Sequence, residues 1–150
     1  MTFNNKKIVL GSIQINMIME KTPDYIVENN KDVEKKYKWL KNKLKEHFYA
    51  IYLNGKNRII GDKLICLGTT TASLIDIQDI VRTALLTNAS AVIILHNHPS
   101  GDPGPSSDDI DSTHKIHRAL GYFNIKLLDH IIIGAKQSMS MNEAGMIKTQ

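Results

Sequence analysis

Apolar positions along the chain recur with two periods, and the switches between them mark the elements. Between Lys31 and Lys45, Val33, Tyr37, Leu40 and Leu44 return at three- and four-residue intervals, which predicts a helix with one apolar stripe. Glu46 to Leu53 is dense in aromatic and β-branched residues and predicts a strand. Asn54-Gly55 is a two-residue hairpin signal, with Arg58 to Leu67 as the returning strand. After a Thr-rich connector from Gly68 to Leu74, Asp76 and Asp79 form a capping pattern. It opens a helix whose stripe is Ile77, Ile80, Val81, Ala84 and Leu85. Ala91 to Leu95 is continuously apolar, the signature of a buried strand. A further helix to Leu120 turns Ile110, Thr113, Ile116 and Leu120 inward and ends at Gly121, and Lys126 to Ile133 is the next strand. Nearer the start, Ile13, Ile15 and Met17 alternate within Lys7 to Met19, as in an edge strand, before Thr22-Pro23-Asp24 breaks the pattern.

Length and composition change this picture little. A chain of 150 residues, 42% hydrophobic and 23% charged, suits one globular domain with a proper core. The longest apolar runs are far too short to span a bilayer, so no membrane is expected. No secretory signal is visible and Cys66 is the single cysteine, read as a buried strand thiol, so the cytoplasm is the expected compartment. The net charge of +4 permits contact with nucleic acid without demanding it. Lys31, Lys35, Lys38, Lys41, Lys43 and Lys45 fall opposite the first helix's apolar stripe. They read as a solvated face, because aromatic residues are not interleaved there, with a nucleic-acid patch as the alternative.

The chemistry gathers at His96-Asn97-His98. Histidines two residues apart at the end of a strand point to the same side of the sheet, so both imidazoles can reach one cation. The Pro/Gly-rich stretch Pro99 to Pro105 must turn the chain back and stiffens the loop. Ser106 and Asp109 then have capping-box spacing, which puts a carboxylate in the first helical turn, able to face the imidazoles. Two neutral nitrogens and one carboxylate, with a fourth position left to water, describe an open zinc site of the hydrolytic kind.

His96-x-His98, seven residues, Ser106, two residues and Asp109 resembles the JAMM (MPN/JAB) metallopeptidase signature. The string from His96 to Ser106, with Leu128 to Gly134 downstream, is similar to the RadC branch of that family, and the likeness runs from Glu46 to Ile147. The fold it implies is α/β (α+β), a cytidine deaminase-like three-layer MPN/JAB fold with a mixed β-sheet flanked by helices. The order of elements agrees. Residues 1–30 then form an N-terminal extension and residues 31–150 the metallohydrolase domain.

The resemblance also assigns roles. One zinc ion is held by His96, His98 and Asp109, and Glu46, in its Glu-His-Phe context, serves as general acid and base. A solvated strand end is the plainer reading of Glu46. Ser106 would donate to the oxyanion of the tetrahedral intermediate. Asp129-His130 recurs in RadC-like sequences, which makes both residues candidates for supporting the site. A satisfied core histidine is the equal alternative for His130. Asp76 and Asp79 are explained by capping, and His114 and His117 read as surface residues.

Two departures are visible. Nothing before Glu46 has the Gly-rich hairpin of a DNA-binding helix-hairpin-helix, and Asn97 stands where eukaryotic deubiquitinating relatives carry Ser or Thr. The expectation is therefore a JAMM-type zinc metallohydrolase acting on a peptide or protein substrate, as monomer or homodimer. The alternative is a non-catalytic, DNA-repair-associated accessory protein with a structural or vestigial metal site. Phosphodiester hydrolysis is a third reading, disfavoured because such sites usually pair two metals among several acids.

Overall fold

The computed structural model describes residues 25–68 and 74–147. The alternating segment Lys7 to Met19, the Thr22-Pro23-Asp24 break and most of the Thr-rich connector lie outside the described residues. Five strands form one sheet in the order β2-β1-β3-β4-β5. They are β1 (His47–Leu53), β2 (Ile59–Leu67), β3 (Ala91–Asn97), β4 (Lys126–Ile133) and β5 (Ser138–Ser140). β3 and β4 pair in parallel and every other pair is antiparallel, so the sheet is mixed. The parallel pair requires a crossover, which α3 (Ser107–Gly121) supplies.

Both faces of the sheet are covered. Phe48, Ala50 and Tyr52 of β1, Val92 and Ile94 of β3, and Ile132 of β4 pack with Ile80 and Ala84 of α2 (Ile77–Leu86) and with Ile116 and Leu120 of α3. On the opposite face Ile51, Leu53, Ile93, Leu95, Ile131 and Ile133 meet Val33 and Tyr37 of α1 (Asn30–Tyr37) and Leu40. This is the three-layer α+β arrangement expected from the sequence. The uniform burial of Ala91 to Asn97 follows from it, because β3 is central and covered on both sides. Tyr25 to Val27 bond along the start of β2, and the Tyr37 hydroxyl donates to Asp62, fastening α1 to β2.

Local details differ from the sequence reading where a pattern outruns its element. The first helix is α-helical only to Tyr37, and Lys38–Asn42 continues it as a 3-10 helix. That winding stops at Asn42 and Lys43 is extended, so Leu44 falls beyond the helix and is 93% exposed. Leu85 is likewise exposed, leaving Ile80 and Ala84 as the buried stripe of α2. The hairpin is not a two-residue turn. Asn54 to Arg58 make the loop, the Asn54 side chain accepts from the backbone of Lys56 and Arg58, and Asn57 takes the positive φ expected of Gly55. Gly121 is the last residue of α3, and Asn124 carries the left-handed φ that follows it. Cys66 is partly exposed on edge strand β2 rather than buried. The short β5 has no strand signal of its own.

Candidate metal centre

Strand alternation sets the directions of the key side chains. Val92, Ile94 and His96 face the α2/α3 layer, and Asn97 faces the other way. His98 follows the strand end, its backbone N–H donating to Ile133. The loop after it folds against the β4–β5 turn, where Ala135 N–H donates to the Gly101 carbonyl. Gly101 has φ +86°, and a Cβ on Gly134 would lie 2.6 Å from the Gly101 carbonyl oxygen, so both positions call for glycine. The loop delivers the chain to α3, capped as expected. Ser106 Oγ accepts from Asp109 N–H, and Asp109 Oδ2 accepts from Ser106 N–H at 2.7 Å and from Ser106 Oγ at 2.6 Å.

The result is a cluster of His96, His98 and Asp109 whose donor atoms all lie within 4.8 Å of one another. The two Nε2 atoms are 2.9 Å apart. Asp109 oxygens stand 3.2 Å from His96 Nε2 and 3.5 Å from His98 Nε2. His96 is fully buried, Asp109 is 2% exposed, and His98 stands at the opening.

Hydrogen bonds around the cluster fix which nitrogens carry protons. The Asp102 carbonyl can only accept, so His98 Nδ1, 2.7 Å away, donates and Nε2 keeps its lone pair. The Thr113 hydroxyl donates to the Asp109 carbonyl and therefore accepts from His130 Nδ1. His130 Nε2 then accepts from His96 Nδ1 at 2.8 Å, leaving His96 Nε2 bare as well. Two lone pairs and a carboxylate thus converge on one space, which a cation would relieve. The donor set and its supporting bonds fit a divalent metal.

Electrostatics agree with that assignment at His96 and His130. Burial pushes His96 down to about 4, against the opposing pull of Asp109, so it is neutral at ordinary pH. Burial also holds His130 well below its usual value. His98 is raised, chiefly by its bond to Asp109, so in the metal-free protein a proton on its Nε2 competes for the lone pair that a cation would take. For Asp109, burial pushes upward, but His98, His96 and Ser106 together outweigh it and hold the carboxyl well below the usual range.

Glu46 lies between the 3-10 helix and β1, and its charge is felt by both His96 and His98. Asn97 holds that junction in place. Its side-chain oxygen accepts from His47 N–H, and its amide donates to the Lys43 and Lys45 carbonyls. His130 touches His96 directly. Asp129 sits elsewhere, with its buried carboxylate accepting from Ser140 Oγ and from the N–H groups of His130 and Asn142, tying β4 to the turn after β5. Asp76 caps α2 and Asp79 pairs with Lys63 and Arg82. His114 is exposed and His117 partly so. Sequence reasoning missed Thr113 and Asn97 as supports. Thr113 had appeared only as a polar residue in an apolar stripe, and Asn97 only as the spacer between the imidazoles.

Comparison with known proteins places these residues in context. The family model of the RadC-like JAB domain matches residues 27–146. The chain is 43% identical over 104 residues to a UPF0758 protein of Shouchella clausii, covering 69% of this chain and 45% of that protein. It is 37% identical over 112 residues to a UPF0758 protein of Methanosarcina mazei, covering 75% and 49% respectively. The chain spans about half the length of the curated relatives it matches. Neither relative's name states an activity.

Proposed function

This chain belongs to the RadC-like JAB domain family, and on that premise we propose that it is a zinc-dependent hydrolase of peptide or isopeptide bonds. The carrying observation is the pair of bare Nε2 atoms facing each other at 2.9 Å beside a buried carboxylate. His96, His98 and Asp109 hold the ion, and three protein donors leave a place for solvent. Bound zinc supplies a water of lowered pKa and a Lewis acid for the scissile carbonyl.

The chain's own residues do the rest. Glu46 takes a proton from the attacking water and returns it to the leaving amine, held for that task by the backbone clamp from Asn97. Ser106 orients Asp109 through two hydrogen bonds, and its hydroxyl would serve an oxyanion by turning its hydrogen away from Asp109 Oδ2. Phe48 stacks on His96 with ring centroids 5.7 Å apart and keeps water from its inner side.

The test combines metal analysis with a peptide-substrate screen of wild type and Glu46→Gln. One zinc per chain in both, with hydrolysis in the wild type cut by about 10²–10⁴-fold in the variant, is the expected result. Zinc-loaded wild type that cleaves no peptide but binds DNA in a salt-sensitive way would overturn it in favour of an accessory role.

A further inference from the structure

A second feature stands beside the metal centre, in the segment that carries Glu46. In the 3-10 helix Lys38–Asn42, residues three apart eclipse one another. Leu40 is buried, so the column of Lys38 and Lys41 faces solvent, and Trp39 is 42% exposed beside it. Lys43, Leu44 and Lys45 follow the helix, all exposed. Asn97 takes the carbonyls on both sides of Leu44, which commits that backbone and leaves the Leu44 side chain outside at 93% exposure. A leucine projected between two lysines, anchored by the residue between the two imidazoles, costs apolar exposure in the free protein.

Resting on the hydrolase reading above, we infer that this surface is the docking site for an acidic segment of the protein substrate. Lys38, Lys41, Lys43 and Lys45 meet its carboxylates, and Leu44 meets an apolar side chain between them. Charge complementarity selects the occupant. Residues 1–24 carry Lys6, Lys7 and Lys21 against Glu20 and Asp24, and the whole chain is +4, so neither the chain's own start nor a second copy is complementary. The ring of Trp39 is already approached by Lys43, 5.3 Å from its centroid, and by Tyr49 at a right angle at 5.9 Å, which crowds it against stacking by a nucleic-acid base. One leucine and one half-covered indole give too little apolar area to enter a lipid surface. A peptide bound here lies next to Glu46 and is delivered to the metal.

Trp39 is the sole tryptophan, so its fluorescence reports occupancy without any activity assay. The full chain, zinc-loaded and zinc-free, is titrated with a short Asp/Glu-rich peptide bearing a central Leu. Parallel titrations use its Gln/Asn analogue, oligo-dT and phosphatidylserine vesicles. The acidic peptide is expected to shift Trp39 emission saturably in both forms and to weaken with salt. Affinity should fall about tenfold in Lys41→Ser/Lys43→Ser/Lys45→Ser and several-fold in Leu44→Ser, with circular dichroism and zinc uptake unchanged. Zinc uptake without peptide binding overturns the docking site and leaves the hydrolase reading standing. Peptide binding without zinc uptake does the reverse. Tighter binding of oligo-dT or vesicles than of the peptide overturns the assignment of the occupant.

Discussion

His130 Nε2 lies 2.8 Å from His96 Nδ1, and this contact decides which nitrogen of His96 faces the candidate metal site. The bond comes from the parallel pairing of β3 with β4, where Ile94 is in register with His130. Thr113, at the other end of His130, passes the same constraint to the backbone of Asp109. Two ligands on different elements are therefore oriented by one chain of hydrogen bonds.

Thr113→Val preserves the volume of that side chain and removes the hydroxyl. His130 then loses its fixed tautomer, and His96 its fixed direction. Zinc affinity is expected to fall about 10–100-fold. Competition with a chromophoric chelator measures it, and an affinity equal to wild type would show that the chain of bonds does not tune the site.

Gly134 is a test at a distance from the ligands. Its Cβ would meet two carbonyl oxygens, at 2.6 Å from Gly101 and 2.8 Å from Gln137, with the Pro103 ring at 2.9 Å. Backbone cannot yield as a flexible side chain does, so Gly134→Ala must push the Pro99 to Pro105 loop outward. The loop carries the Asp102 carbonyl that holds His98. Weaker zinc binding, with the three ligands intact, is the expected outcome in a calorimetric titration.

Asn97→Ala removes three partly buried hydrogen bonds to the backbone of Lys43, Lys45 and His47. The expected loss of unfolding free energy is about 1–3 kcal/mol. Hydrolysis should fall while zinc stays bound, because the ligands are untouched and only the seat of Glu46 loosens. Hydrogen exchange at the His47 amide reads the loosening directly, and an unchanged rate there would count against the clamp.

How much of this the sequence carried depends on range. His96, His98, Ser106 and Asp109 fall within one short run, where strand alternation and a capping box suffice to place them. Apolar spacing runs on from Lys31 through Leu44, but the chain tightens into a 3-10 helix at Lys38 and leaves it after Asn42. Asn54-Gly55 looked like a turn in itself, whereas the Asn54 side chain organises a longer loop around Asn57. Thr113 and Asn97 acquire meaning only through partners 17 and about 50 residues away, in pairings that no local period encodes.

Acid should unfold the chelator-stripped protein through its buried imidazoles. The folded state holds His96 near 4, against 6.5 in the open chain. Its stabilising contribution is complete above 6.5 and disappears as the pH falls toward 4, because the unfolded chain takes up the proton first. That gap amounts to about 3 kcal/mol. His130, also lowered by burial, acts in the same direction. His98 acts in the opposite sense. Its raised value gives stability that is complete below 6.5 and lost as the pH rises through it, but this ring is partly exposed and the contribution is correspondingly smaller. Asp109, held low, starts to lose its contribution as the pH falls through the usual carboxylate range, below this window. The urea midpoint of the stripped protein should therefore decline between pH ~7 and ~4.5. In zinc-saturated protein the decline should be steeper, since protons must also displace the ion. His96→Gln should flatten it. A midpoint independent of pH in the stripped wild type would mean that His96 and His130 are not buried neutral, and the tautomer assignment that bares His96 Nε2 would fall with it.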